Sequence, residues 1–176
     1  MAKEANTYTN PGQALPSFIE EDGTKRNQSQ AILLLLCMRH GVVPQSAQEE
    51  YEMHWYFETK KDHEGQNFFP AFAHDNCDEQ IINDLVAVYV SIHQKCEEHW
   101  ADGRQYVAGD NITAADYSFL AHNTMLRGNT GLKNPSILTK LEEQAPMSES
   151  VHVARVLNNI KAQCQASVDA LQPSFC

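Results

Sequence analysis

Along the chain the apolar positions change period once, and that change divides the sequence. Residues 1–14 are polar and include the turn signal Asn10-Pro11-Gly12, after which Leu15 to Glu20 reads as a short strand with Pro16 near its start. Glu21-Asp22-Gly23-Thr24 is a hairpin turn, Asp-Gly being a strong local cue, and Thr24 to Gln28 is the returning strand. Lys25, Arg26 and Asn27 make that strand polar, as at a sheet edge. From there the period is helical. Ser29 is placed to cap a helix through Ala31-Ile32-Leu33-Leu34-Leu35-Leu36-Cys37-Met38, which is apolar on nearly every side and stops at Gly41, with Pro44 beyond.

A second helix is predicted over 45–60, capped by Ser46 and carrying Tyr51, His54, Trp55 and Phe57; an irregular stretch, His63 to Asn76, follows. The longest helix runs from Cys77 or Asp78 to Trp100, with Ile81, Leu85, Val88, Ile92 and Cys96 on one stripe. After the loop 101–111, further helices are expected from Thr113 to about Leu126, from Pro135 to Gln144 and from Ser148 to Leu171. The last places Val153, Val156, Leu157, Ile160 and Cys164 at three-and-four spacing. The order strand, hairpin, strand, helix, then helices alone predicts an α+β, mostly α chain: a small unit over 1–43 followed by a helical bundle over 44–176.

Within the bundle, Thr113-Ala114-Ala115-Asp116 has the form of a capping box. The Thr113 hydroxyl is placed to accept from the N–H of Asp116, and the Asp116 carboxylate to reach back to the N–H of Thr113. Ile112 and Tyr117 stand where a hydrophobic staple would pack. With Gly109 upstream, this stretch resembles the buried capping box in the second domain of glutathione transferases. A second resemblance lies at the right end of the chain. Asn10-Pro11 through Leu15-Pro16, then Gln28-Ser29-Gln30-Ala31-Ile32, is similar to the Asn-Pro, cis-proline and Glu/Gln-Ser-x-Ala-Ile segments of the same superfamily.

The resemblance implies a partial thioredoxin-like β-β-α unit followed by the family's all-helical domain. Pro16 matches the cis-proline, which lets the Leu15 backbone pair with the cysteinyl part of glutathione. Gln28 and Ser29 match the positions that hold the γ-glutamyl carboxylate, and Gln13 lies where some classes contact the glycyl end. Glutathione is thus the implied ligand, as substrate or otherwise. The family's thiol-activating tyrosine, serine or cysteine belongs to a first strand and helix upstream of the matched region. Tyr8 precedes the Asn-Pro turn and is not its counterpart, so no catalytic residue is assigned, and weak or no conjugation activity is expected. The alternative is a non-catalytic docking subunit of a larger assembly. Without the first strand, the strand at Leu15 to Glu20 has an open edge, which a second copy or a heteromeric partner would cover together with residues 31–38.

Composition narrows the setting. Of 176 residues, 42% are apolar, enough for a core, and the net charge of −10 argues against the clustered basic surface that nucleic acid requires. Five widely spaced cysteines without a Cys-x-x-Cys pair argue against a disulfide framework and for a reducing compartment. The N-terminal residues carry neither an apolar signal core nor an arginine-rich leader, so the expected location is cytoplasmic, free or attached to a cytoskeletal or other large assembly. No apolar run approaches the ~20 residues of a membrane span, so no insertion is expected.

His93-x-x-Cys96-x-x-His99 suggests metal, but on a helix its outer residues stand about 120° apart around the axis, too splayed for one ion. No metal is expected. Tyr51, Trp55, Tyr56, Phe57, Phe68, Phe69 and Phe72 fit either core packing or an apolar substrate pocket. The pairs Glu49-Glu50, Glu97-Glu98 and Glu142-Glu143 read as solvated helix faces, and Cys37 and Cys96 as small buried hydrophobes.

Overall fold

A computed structural model describes residues 16–63, 77–128 and 132–170. The chain divides into two compact units, Met1–Val43 and Pro44–Cys176.

In the first unit, β1 (Ser17–Ile19) and β2 (Lys25–Asn27) pair antiparallel with Ser17 opposite Asn27, Phe18 opposite Arg26 and Ile19 opposite Lys25. Asp22 Oδ1 accepts from the Thr24 N–H at 2.8 Å, and Gly23 takes the left-handed φ of 84° that the turn requires. Both strands are shorter than the residue pattern predicts. The turn takes Glu20 and Thr24 at one end, through Gly23 N–H to Glu20 O and Glu20 N–H to Thr24 O, both 2.9 Å. At the other end Gln28 leaves the extended region altogether, with φ 71° and ψ 104°.

Helix α1 (Ser29–Arg39) follows at once. Here Ser29 is the first helical residue rather than the cap: Gln28 holds the cap position, and no side chain caps the helix start. The helix ends as predicted at Gly41 (φ 72°), in a Schellman motif with Val42 N–H on Cys37 O (2.9 Å) and Gly41 N–H on Met38 O (3.3 Å). Arg39 grips the Glu20 carboxylate with both terminal nitrogens (2.6 and 2.8 Å) and Arg26 adds a third bond at 3.1 Å, tying the end of α1 to the hairpin. Ile32 to Leu36 are each only half-buried, while Met38 is 68% and Ile19 60% exposed.

The second unit holds α2 (Ala47–His63), α3 (Glu79–His99) continued by a 3-10 turn (Trp100–Asp102), α4 (Ala114–Arg127), α5 (Ser136–Gln144) and α6 (Val151–Ala170). Helix α3 is the hub, packing on α2, α5 and α6, while α4 packs on α2 and α6. The buried stripe of α3 is rotated from the expected one. Leu85, Ile92 and Cys96 are buried, but Ile82, Val86, Tyr89 and His93 replace the half-buried Ile81 and Val88, because neighbours on three sides widen the covered arc. On α6, by contrast, Val153, Val156, Leu157, Ile160 and Cys164 are all buried as the spacing predicts.

Local caps start α2, α3 and α4. Ser46 Oγ accepts from the Glu49 N–H (3.1 Å) and Asp78 from the Gln80 N–H (2.7 Å). Thr113 and Asp116, both 0% exposed, form a capping box. The Asp116 carboxylate accepts from the Thr113 N–H (2.7 Å) and hydroxyl (3.0 Å), and also from the Val107 N–H (2.8 Å), which locks the preceding loop to the helix start. Burial pushes the Asp116 carboxyl up to about 6 against these donors. Ile112 and Tyr117 flank the box and are half-buried.

Helix α6 begins later than expected, at Val151, since Pro146 to Ser150 form turns of their own. Its start is capped from another helix. Glu97 of α3 accepts from His152 N–H (2.9 and 3.1 Å) and Val153 N–H (2.8 Å). Reciprocally, Arg155 of α6 donates to the Trp100 and Arg104 carbonyls (2.6 and 3.1 Å) where α3 runs out. Glu97 is therefore no solvated-face residue, although its neighbour Glu98 is exposed.

Candidate functional site

The hairpin register, continued by one residue, sets Pro16 across from Gln28, and Ser29 follows as the first residue of α1. All three are exposed. Gln28 is the sole non-glycine residue at positive φ among those described, and its ψ of 104° places it outside even the left-handed helical well. A glutamine in such a conformation costs roughly 1–3 kcal/mol, and strain of this kind concentrates at sites that use it. The consequence is geometric: the chain turns sharply into α1, so that the first amides of an uncapped helix and the Ser29 hydroxyl meet the solvent beside Pro16. Gln13 and Leu15 lie outside the described residues.

The other unit holds a concavity that no sequence motif marks. A cleft of about 460 Å³ is lined by the first turns of α2 and the loop 102–110, including Glu49, Glu52, Asp102, Arg104 and Gly109. Of its carboxylates, Glu49 and Glu52 are engaged by the chain itself. Glu49 accepts from the Gln45 N–H (2.6 Å) and Asn111 Nδ2 (2.8 Å). Glu52 accepts from Arg104 Nη1 (2.9 Å), Gln48 Nε2 (2.8 Å) and, at 2.5 Å, His99 Nε2. His99 in turn stacks on Trp55, ring centroids 4.0 Å apart. Burial opposes the charge on Glu49 and Glu52, yet these donors prevail and hold both carboxyls below the usual range. Glu49 is thus a buried anchor, not a solvated residue; only Glu50 beside it is exposed.

His93, Cys96 and His99 go separate ways, as the helical spacing implies. His93 is buried and bonds Ser150 Oγ at 2.6 Å, His99 faces Glu52, and Cys96 is 1% exposed with burial pushing its thiol up to about 12. No group of three metal-ligating side chains converges among the described residues. The aromatics divide too. Tyr56 and Phe57 are core, Trp55 is half-buried and Tyr51 is 60% exposed, while Phe68, Phe69 and Phe72 lie outside the described residues. Among the described residues no helix is long and apolar enough to cross a membrane, and Cys37, Cys77, Cys96 and Cys164 are free thiols.

No family model matches the sequence, and no curated protein sequence does. Among solved structures the chain is similar to the glutathione S-transferase Blo t 8, with a TM-score of 0.59 and 22% identity over 86% of this chain and 67% of that one. With a short antiparallel hairpin followed by helices among the described residues, the chain has the fold of a partial thioredoxin-like unit followed by a helical domain like that of a glutathione transferase.

Proposed function

We propose that the first unit binds glutathione through its γ-glutamyl end, and that the chain is a glutathione transferase-like protein whose assigned residues support binding without supplying catalysis. The observation that carries this reading is Gln28, strained and exposed at the mouth of an uncapped helix. A γ-glutamyl carboxylate placed there would accept from the first α1 amides and the Ser29 hydroxyl, favoured by the positive end of the helix dipole. The Gln28 amide would donate to the carboxylate through its NH2 and accept from the α-ammonium group through its carbonyl oxygen. Leu15 would pair its backbone with the cysteinyl part, Pro16 would set the direction of that backbone, and Gln13 would meet the glycyl end. The one hydroxyl among these residues, that of Ser29, is assigned to the γ-glutamyl carboxylate and not to the thiol, so conjugation is expected to be weak or absent. Four free thiols among the described residues and an acidic composition agree with a cytoplasmic setting.

Titration calorimetry tests the reading. Glutathione is expected to bind with a Kd below millimolar and to weaken about tenfold or more in Gln28→Ala, the loss of one charge-assisted bond and its geometry. Absence of heat at millimolar ligand would end it.

The docking alternative has its own support in α1, whose half-buried Ile32 to Leu36 and exposed Met38 leave apolar surface for a second copy or another protein. A monodisperse monomer in light scattering, with residues 17–19 protected from exchange, would remove it.

A further inference from the structure

The interior of the second unit contains a device that the glutathione reading does not use. Two histidines, His93 on α3 and His122 on α4, are each 6% exposed and line a cavity of about 10 Å³ with Tyr56, Tyr89, Cys96 and Asn123. His93 is tied to the head of α6. The single proton of Ser150 is donated to Pro146 O at 3.0 Å, so Ser150 Oγ accepts from His93 Nε2–H at 2.6 Å, and the neutral ring carries its proton on Nε2. One helical turn further along α3, Glu97 receives the amides of His152 and Val153, the second and third residues of α6. Helix α3 thus grips the 146–153 segment at two points, one of them an imidazole that is neutral and out of water.

We propose that this grip is an acid-sensitive clasp: protonation of His93 opens the 146–153 segment, freeing the start of α6 from α3 while the rest of the unit stays folded.

A second proton must enter at Nδ1 of a ring only 6% exposed, and the resulting cation is poorly hydrated while the clasp is closed. The surrounding charges do not remove that cost. Arg127 of α4, held over the Tyr89 ring, opposes the new charge, whereas Glu97 on α3 itself and Glu142 of α5 favour it. From α2 the cavity receives only the Tyr56 phenol, and from α6 Val153, neither of them charged. Burial is the largest influence and pushes the imidazole down to about 4. Opening restores an ordinary histidine that titrates near 6.5, so between these values the open form binds the extra proton and gains as pH falls. Further along α6, Arg155 and Asn159 hold the Trp100, Arg104 and Gln105 carbonyls with groups that do not titrate in this range, which confines the opening to the first turn.

Hydrogen exchange of the full chain by mass spectrometry, corrected for intrinsic rates, tests the clasp. Uptake of one proton, half complete in the open form at pH 6.5, makes the opening constant of residues 146–154 rise about fifteenfold from pH 6.5 to pH 5, while α5 (136–144), which carries no histidine, changes much less. His93→Gln, which keeps an uncharged donor for Ser150, is expected to flatten this rise to less than about threefold. The proposal is overturned if both segments lose protection in parallel, or if the variant shows the wild-type slope. Should the variant not fold, the His93 ring resonance of the wild-type protein decides: titration coincident with opening supports the clasp, and opening while the ring stays neutral refutes it.

Discussion

Replacing Asp116 by alanine removes the acceptor on which the capping box depends. The side chain is 0% exposed and takes three donors: Thr113 N–H at 2.7 Å, Thr113 Oγ1 at 3.0 Å and Val107 N–H at 2.8 Å. Thr113 is 0% and Val107 1% exposed, so water cannot replace the carboxylate. Two backbone amides left without partners cost about 1–3 kcal/mol each, which puts the loss at about 3–5 kcal/mol. A domain of this size has roughly 5–15 kcal/mol in all, so the variant should be marginal but measurable by urea denaturation followed by circular dichroism. The penalty also has a pH signature. With its carboxyl raised from the usual carboxylate range to about 6, Asp116 contributes stability that is fully present below the unfolded value near 3.9 and is lost as pH rises through 6. Wild type minus variant should therefore be larger at pH 5 than at pH 7.5, by about 1–1.5 kcal/mol, other titrating groups cancelling in the difference. A loss under about 1 kcal/mol at unchanged m-value, or a difference that grows toward high pH, would refute the account of a buried anchor.

Two further substitutions probe other contacts. Gly109→Ala should destabilise by about 1–3 kcal/mol in the same assay, because φ is 150° there and a Cβ would stand 3.2 Å from Glu49 Cγ and Oε1, displacing the carboxylate that holds Gln45 and Asn111. Arg155→Met keeps much of the side-chain bulk but strips the Trp100 and Arg104 carbonyls of their donor; a loss of about 1–3 kcal/mol and faster exchange at 100–105 are expected, and unchanged exchange there would count against the reciprocal cap.

The parts legible in the sequence share one property: their partners lie within a few residues. Asp22-Gly23, the Gly41 stop, the Ser46 cap and the Thr113-Asp116 box all come from local bonding, so spacing alone specifies them. The stripe on α6 is legible for a related reason, since one apolar face requires only a period. Ser29 was misplaced as a cap because serine before an apolar run usually serves as one; the unusual backbone of Gln28 took that position instead, and no propensity announces a strained residue.

Sequence alone therefore determined the order of elements and most of their starts and stops, because these follow from backbone rules acting over one or two turns. Only the tertiary structure decided what the charged side chains do. Glu97 meets the amide of His152, Glu52 meets His99 and Arg104, and His93 meets Ser150, across separations of 47 to 57 residues. An exposed glutamate and one that caps a distant helix have the same place in a helical pattern, and packing distinguishes them by withdrawing the water that would otherwise satisfy either.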